Sequence, residues 1–304
     1  MLRAPARTFV RTLAASGPGL RLLNVMHRRL SPAARRRFFY LCYDERWRVR
    51  GRWTVDFAGR HIVLPLSHAF SDAWLAAIGF HGYDSEVHAL YEALVLSPRP
   101  PRVVFDVGAS YGLHALRFLV HGARVVAFEP NPECHRWFRA LCAANGVACE
   151  LEPVAVGDRP DRAVLAFPEG RTYLGTVVPD VRGAWRGAAV RTLTVPQVAL
   201  DAVVAKLGVV PDLVKIDTEG AELAVLRGAV DILRIAQPTV VFEAWHDVEV
   251  RRQLWAILDG HGYAIAPVDG SVPRRLTQAG FAGAQATNFV AEMPPARVIH
   301  AASL

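Results

Sequence analysis

Residues 102–130 constrain the fold of this chain more than any other stretch. Val103, Val104, Phe105 and Val107 form a short apolar run of the kind a fully buried parallel strand needs. Gly108-Ala109-Ser110-Tyr111-Gly112 follows, small enough for the backbone to turn sharply and lie close against a ligand. Leu113, Leu116, Phe118 and Leu119 resume at helical spacing. Residues 124–128 make a second apolar strand, and Glu129 stands where it stops. The pattern is one β-α-β unit, and a carboxylate after its second strand is placed to accept hydrogen bonds from a ribose diol.

The glycine spacing narrows the nucleotide. A dinucleotide loop uses G-x-G-x-x-G, with a helix N-terminus aimed at pyrophosphate. Here the spacing is Asp106-x-Gly108-x-x-x-Gly112, with Ser110 in place of the second dinucleotide glycine. A carboxylate this near the loop repels a pyrophosphate and suits the ammonium and sulfonium of S-adenosylmethionine. The plainer alternative is an ordinary α/β packing turn.

Charge is unevenly spread. Residues 1–60 hold 14 Arg, no Lys and three acids (Asp44, Glu45, Asp56), so 14 − 3 gives +11 against +7 for the whole chain. The basic balance therefore belongs to the N-terminal segment, and the remainder is net acidic, which leaves little electrostatic footprint for nucleic acid. Hydrophobic content of 52% with 21% charged residues describes a folded chain rather than a disordered one. No window approaches the ~18 apolar residues of a membrane span, and no apolar core of a secretory signal follows the first arginines. An Arg-rich, acid-free start also resembles a transit peptide. Leu20, Leu23, Met26 and Leu30 can line one side of a short helix carrying Arg21, Arg28 and Arg29, a segment suited to weak peripheral contact with anionic lipid. A solvated basic arm packed on its own domain is the alternative. Cys42, Cys134, Cys142 and Cys149 lack metal-type pairing, and reduced thiols in the cytoplasm are expected.

Along the chain, residues 53–66 read as a β-hairpin turning at Gly59-Arg60. Residues 69–80 and 85–96 read as helices, the second starting at Ser85. The proline-rich 97–101 is a rigid connector, so an N-terminal extension (1–97) is expected before a catalytic domain (98–304). A helix from Pro132 to about Ala144 closes at Asn145-Gly146. Residues 150–156 are the third strand, with Ala155 and Val156 at its ligand-facing end and Asp158 either reading the adenine amine or making a turn. Residues 163–167 and 190–195 are strands joined by an excursion (Arg171, Tyr173, Arg182, Trp185, Arg186) that is either an acceptor wall or a surface loop. A helix at 196–206, strands at 212–216, 239–242, 264–268 and 287–291, and helices after 222 and 248 complete a doubly wound α/β sheet of seven strands with a late hairpin-like pair.

Four blocks together, Phe105-Asp106-Val107-Gly108-Ala109, Phe128-Glu129-Pro130, Val214-Lys215-Ile216-Asp217-Thr218-Glu219-Gly220-Ala221-Glu222 and Val241-Phe242-Glu243, closely resemble the FkbM family of S-adenosylmethionine-dependent O-methyltransferases over roughly residues 83–267. The family pattern often has Asn where this chain has Ser110. The resemblance implies a Rossmann-like class I methyltransferase fold, S-adenosyl-L-methionine as cofactor, and a hydroxyl of a small-molecule, sugar, glycolipid or polyketide-type acceptor. It implies a cofactor set of Asp106, Gly108, Ala109, Ser110, Gly112, Glu129, Pro130, Asn131, Ala155, Val156 and Asp158, covered by Tyr83 and Glu86.

A hydroxyl is a weak nucleophile, so a base that removes its proton helps. Asp217 is the first choice for orienting or deprotonating the acceptor, with Glu219 beside it. His246 is the second, because its ordinary pKa suits the role; a partly exposed loop histidine is the alternative. Asp217, Glu219 and Glu243 would also suit Mg²⁺, but a polar acceptor pocket explains the same residues and no metal is expected. Glu222 reads as a structural acid, and Lys215 as the partner of a neighbouring carboxylate. A catalytically silent relative and a nicotinamide oxidoreductase are the competing classes.

Overall fold

The computed structural model describes residues 4–42, 51–66, 84–179, 185, 187–245, 247–269 and 274–294. The expected helix at 69–80 and the residues Tyr83, Arg182, Arg186 and His246 lie outside them. The chain divides into two units, Met1–Pro153 with Gly170–Tyr173, and Val154–Glu169 with Leu174–Leu304.

The first unit begins with helices α1 (Ala4–Ala14), α2 (Gly17–Arg28) and α3 (Pro32–Cys42). Ser16 caps α2, its hydroxyl accepting the Gly19 N–H at 3.1 Å, with Pro18 in the first turn. The buried face of α2 is Leu20, Leu23, Asn24 and His27. Met26, expected on that face, is instead exposed, because the helix turns Asn24 and His27 inward.

Next comes the hairpin of β1 (Gly51–Phe57) and β2 (Arg60–Leu66), whose turn is Ala58-Gly59, one residue earlier than expected. Both turn residues have positive φ (46° and 77°), the geometry that matches strand twist in a two-residue hairpin. Thr54 and Val63 face each other in this ladder, and two asparagines satisfy the backbone groups they turn outward. Asn24 exchanges two 2.9 Å bonds with the Thr54 N–H and C=O. Asn145 does the same for Val63 at 2.7 and 2.8 Å. Each side-chain amide stands in for a missing strand, which fixes α2 to β1 and closes both edges of the ribbon.

Helix α4 (Ser85–Val95) has Ser85 as its first residue and Asp84, in the left-handed region, before it. Strands β3 (Val103–Val107), β4 (Arg124–Phe128) and β5 (Glu150–Glu152) run parallel, with α5 (Leu113–Leu119) and α6 (Pro132–Asn145) as their connections. Phe105 and Phe128 meet edge-to-face at 5.5 Å between these strands. Tyr91 of α4 packs on Phe118 of α5 at 4.9 Å.

The expected third strand does not run unbroken through 156. Pro153 supplies no N–H and the ladder stops at Glu152. Ala155 and Val156 form β6 (Ala155–Val156) of the second unit, in a three-stranded sheet with β7 (Asp161–Pro168) and β8 (Val190–Val198) in the order β6-β8-β7. The core of this sheet is Ala155, Leu165, Phe167 and Val195. Strand β8 continues through Val198 because Gln197 and Val198 pair with β6, so the next helix, α7 (Leu200–Leu207), starts later than expected.

Beyond it come β9 (Leu213–Ile216), α8 (Glu222–Arg227), a π-helical turn at Ile232–Ala236, β10 (Thr239–Glu243), α9 (Val248–Gly260), β11 (Ala264–Pro267), α10 (Gln278–Ala282) and β12 (Asn288–Glu292). Phe281 and Phe289 pack at 4.7 Å, and the buried Arg251 guanidinium donates to the carbonyls of Phe281, Ala284 and Ala286, satisfying the loop between α10 and β12. The large sheet has the order β11-β12-β10-β9-β3-β4-β5, seven strands with an antiparallel pair at one edge. The doubly wound reading thus holds. No helix among the described residues is long and apolar enough to cross a membrane.

Candidate active site

Strand β3 delivers Asp106 into the interior, 1% exposed, where its Oδ2 accepts the Ala115 N–H of α5 at 3.0 Å. The next two N–H groups, of Gly108 and Ala109, both donate to the Phe128 carbonyl at 3.0 and 3.1 Å, which pins the loop to the end of β4. Gly108 (φ 76°), Ser110 (49°) and Gly112 (83°) all lie in the left-handed region. Asparagine tolerates that region better than serine, which accounts for the Asn that the related pattern often carries at position 110.

Gly112 has a second constraint, since a Cβ there would overlap the Phe138 ring of α6. Gly112→Ala should therefore lose about 2–4 kcal/mol of stability by urea denaturation, from strain and overpacking together. Gly59→Ala, at φ 77° with open space around it, should lose only about 1 kcal/mol and separates the two causes.

Glu129 is 7% exposed, and two backbone donors hold it. Oε2 accepts the Ser110 N–H and Oε1 the Asn131 N–H, both at 2.7 Å. These two bonds fix the orientation of the carboxylate. Asn131 is fully buried and caps α6 through the Glu133 N–H at 3.1 Å. Its Nδ2 donates to the Thr172 carbonyl at 3.1 Å, and the Tyr111 and Thr172 hydroxyls share a 2.6 Å bond. Burial pushes the Cys134 thiol far up, so it stays a protonated donor to the same Thr172 carbonyl. Thr172 thus ties the 170–173 segment to the loop and to the start of α6. Nothing in the sequence marked it, because its partners lie 38 to 61 positions away.

Asp106, Gly108, Ala109, Ser110, Gly112, Glu129, Pro130 and Asn131 are therefore gathered around one loop of the first unit. Glu86, in the first turn of α4, accepts from the Ser85 hydroxyl at 3.3 Å. Ala155 and Val156 are buried in the three-stranded sheet, and Asp158 is exposed and pairs with Arg159 at 3.1 Å. The donor set fits S-adenosylmethionine: an acid anchored at the end of β4 suits a ribose, and two carboxylates beside the loop suit a cationic ligand and oppose a pyrophosphate.

In the second unit, β9 is buried throughout. Lys215 is 4% exposed, and its Nζ lies 3.3 Å from Asp217 Oδ2. Glu222 is fully buried, and its Oε1 accepts the Thr218 N–H (2.8 Å), the Thr218 hydroxyl (2.9 Å) and the Gly220 N–H (3.2 Å). This acid shapes the turn after β9 as a structural group. The turn puts Glu219 in the left-handed region (φ 53°), its carbonyl accepting the Thr176 hydroxyl at 2.7 Å. Burial, followed by the negative charges of Asp217 and Glu222, raises the Glu219 carboxyl to about 7, with Lys215 opposing. Glu243 ends β10. Among the described residues no three His, Cys, Asp or Glu side chains group closely enough to hold a metal ion.

The fold is that of a doubly wound methyltransferase that uses S-adenosylmethionine. Residues 106–265 match the methyltransferase FkbM domain, and the chain belongs to that family. It is 33% identical over 198 residues to the 31-O-demethyl-FK506 methyltransferase FkbM of Streptomyces tacrolimicus, covering 55% of this chain and 74% of that one. Methyltransferase sdnD of Sordaria araneosa is 28% identical over 196 residues, covering 55% and 75%. Among solved structures, a methyltransferase FkbM from Methylobacillus flagellatus KT aligns with a TM-score of 0.42 at 16% identity, over 73% of this chain. This chain spans about half of that protein, 54% of its length.

Proposed function

We propose that this methyltransferase acts on oxygen, transferring a methyl group to a hydroxyl of a small-molecule, sugar, glycolipid or polyketide-type acceptor. The cofactor supplies an electrophilic methyl on a sulfonium centre. In this reading Glu129 takes the ribose diol, the loop from Gly108 to Gly112 lies along the cofactor, and Asp106 holds the loop to α5. Glu219 accepts the hydroxyl proton, and Asp217, held by Lys215, orients the acceptor oxygen. His246 is kept as an alternative base.

The observation that carries the reading is the turn after β9, where a half-buried carboxylate is raised to about 7 beside two other acids. Such a group is about half ionised at neutral pH, so it can accept a proton there and hold it. The 31-O-demethyl substrate in the relative's name supports oxygen as the acceptor atom. Three free thiols among the described residues, Cys134, Cys142 and Cys149, suit the reducing cytoplasm in which we place the reaction.

The test supplies methyl-labelled S-adenosylmethionine and a panel of alcohols, sugars and glycolipids, each beside its O-methylated counterpart and an amine analogue. Label should pass to free hydroxyls and not to the capped acceptors. Transfer only to amines or RNA would replace the oxygen assignment, and cofactor binding without transfer to any acceptor would favour the silent relative.

A further inference from the structure

Helix α2 has two apolar faces, and the fold uses only one. Leu20, Leu23, Asn24 and His27 point inward, and the Asn24 bonds to Thr54 lock that orientation. On the other side Leu22 is 54%, Val25 49% and Met26 47% exposed, and Arg21 and Arg29 are exposed beside them. At 100° per residue these five positions fall within an arc of about 140°. Adjacent helices add Phe9, 69% exposed, and the exposed Arg36 and Arg37.

Single exposed apolar residues are ordinary, but here an aliphatic stripe bracketed by cations stays exposed on a helix already anchored by its opposite face. Residues 1–43 contain nine Arg and no Asp, Glu or Lys. Arg28 and Arg35 are engaged by Asp56, which leaves Arg21, Arg29, Arg36 and Arg37 facing solvent.

We propose that the exposed face of α2 docks this enzyme on an anionic lipid bilayer, Leu22, Val25 and Met26 entering the headgroup boundary and the flanking arginines meeting lipid phosphates. Charge complementarity selects this occupant. A second copy would bring its own arginines against these. Nucleic acid offers aliphatic side chains neither a phosphate contact nor a stacking surface. The helix is too short to span and is oriented to lie on the surface.

The full chain is sedimented with vesicles of phosphatidylcholine alone and of phosphatidylcholine mixed with phosphatidylglycerol. Binding should favour the anionic vesicles by about tenfold or more and weaken as salt rises. A Leu22→Ser/Val25→Ser/Met26→Ser variant, and separately Arg21→Gln/Arg29→Gln, should each lose about tenfold in partitioning. Circular dichroism and S-adenosylmethionine affinity should stay unchanged, because all five residues are exposed. Absence of vesicle binding, equal binding to both compositions, or variants that bind like the parent would overturn the proposal. So would a mass by light scattering that falls from dimer to monomer in the serine variant, which would make the face a contact between copies. Duplex RNA binding lost in the glutamine variant without any vesicle binding would overturn it in favour of nucleic acid.

Discussion

Glu219→Gln should lower kcat by about 10²–10⁴-fold, the range general-base removal commonly costs, while the S-adenosylmethionine Kd stays within about twofold. The substitution keeps the shape of the side chain and its backbone bond to Thr176, which runs through the carbonyl. What it removes is the carboxylate proposed to take the proton. The pH dependence carries the same assignment with a definite sign. A base works when deprotonated, so activity should rise with pH through about 7, where the Glu219 carboxyl titrates. Asp217 is among the charges that raise it and Lys215 opposes. Asp217→Asn removes a negative neighbour, so it should move the limb to lower pH. A limb that stays in place in Asp217→Asn, or a Glu219→Gln enzyme with wild-type kcat, would remove Glu219 from the proton path and leave His246 as the base.

Replacing Glu129 by Ala should weaken S-adenosylmethionine binding by about 10²–10³-fold in calorimetry, roughly 3–4 kcal/mol. Two effects add. In the proposed reading the ribose loses its carboxylate acceptor, and the N–H groups of Ser110 and Asn131 lose the partner they share, with charge-assisted bonds worth about 1.5–3 kcal/mol each. Glu129→Gln should fall between parent and Ala, because its carbonyl oxygen can still take one N–H while its NH₂ faces the other donor. An Ala variant that binds within about threefold of the parent would place the ribose elsewhere.

The β-α-β unit and its loop, the proposed cofactor half, were the more legible part of the candidate site because their information is local. Apolar run, small loop, helix, apolar run and acid occupy fewer than thirty consecutive positions, and the backbone bonds that close the loop connect Gly108 and Ala109 to Phe128 within that span. The seven strands and their late hairpin-like pair were legible for a related reason, as each strand is a short buried run whose pattern does not depend on its neighbours, whereas their order in the sheet came from the structure. Where two regular elements met, local pattern was weaker. Residues 150–156 read as one strand although Pro153 divides them between two sheets, and residues 196–198, read as the start of a helix, instead extend β8, with Gln197 and Val198 pairing with β6.

Sequence alone determined the β-α-β unit, the acid at its end, the turn after β9 and the basic N-terminal arm, because each is written in neighbouring residues. Tertiary structure decided which acid is tuned, which threonine ties down the 170–173 segment and which side of α2 faces water. Those outcomes depend on burial and on partners distant along the chain: Glu219 is raised chiefly by desolvation, Thr172 binds residues 38 to 61 positions away, and Asn24 reaches 30 positions to set the roll of its helix. Desolvation and long-range hydrogen bonds come into being only when the chain has closed on itself, so no local pattern encodes them.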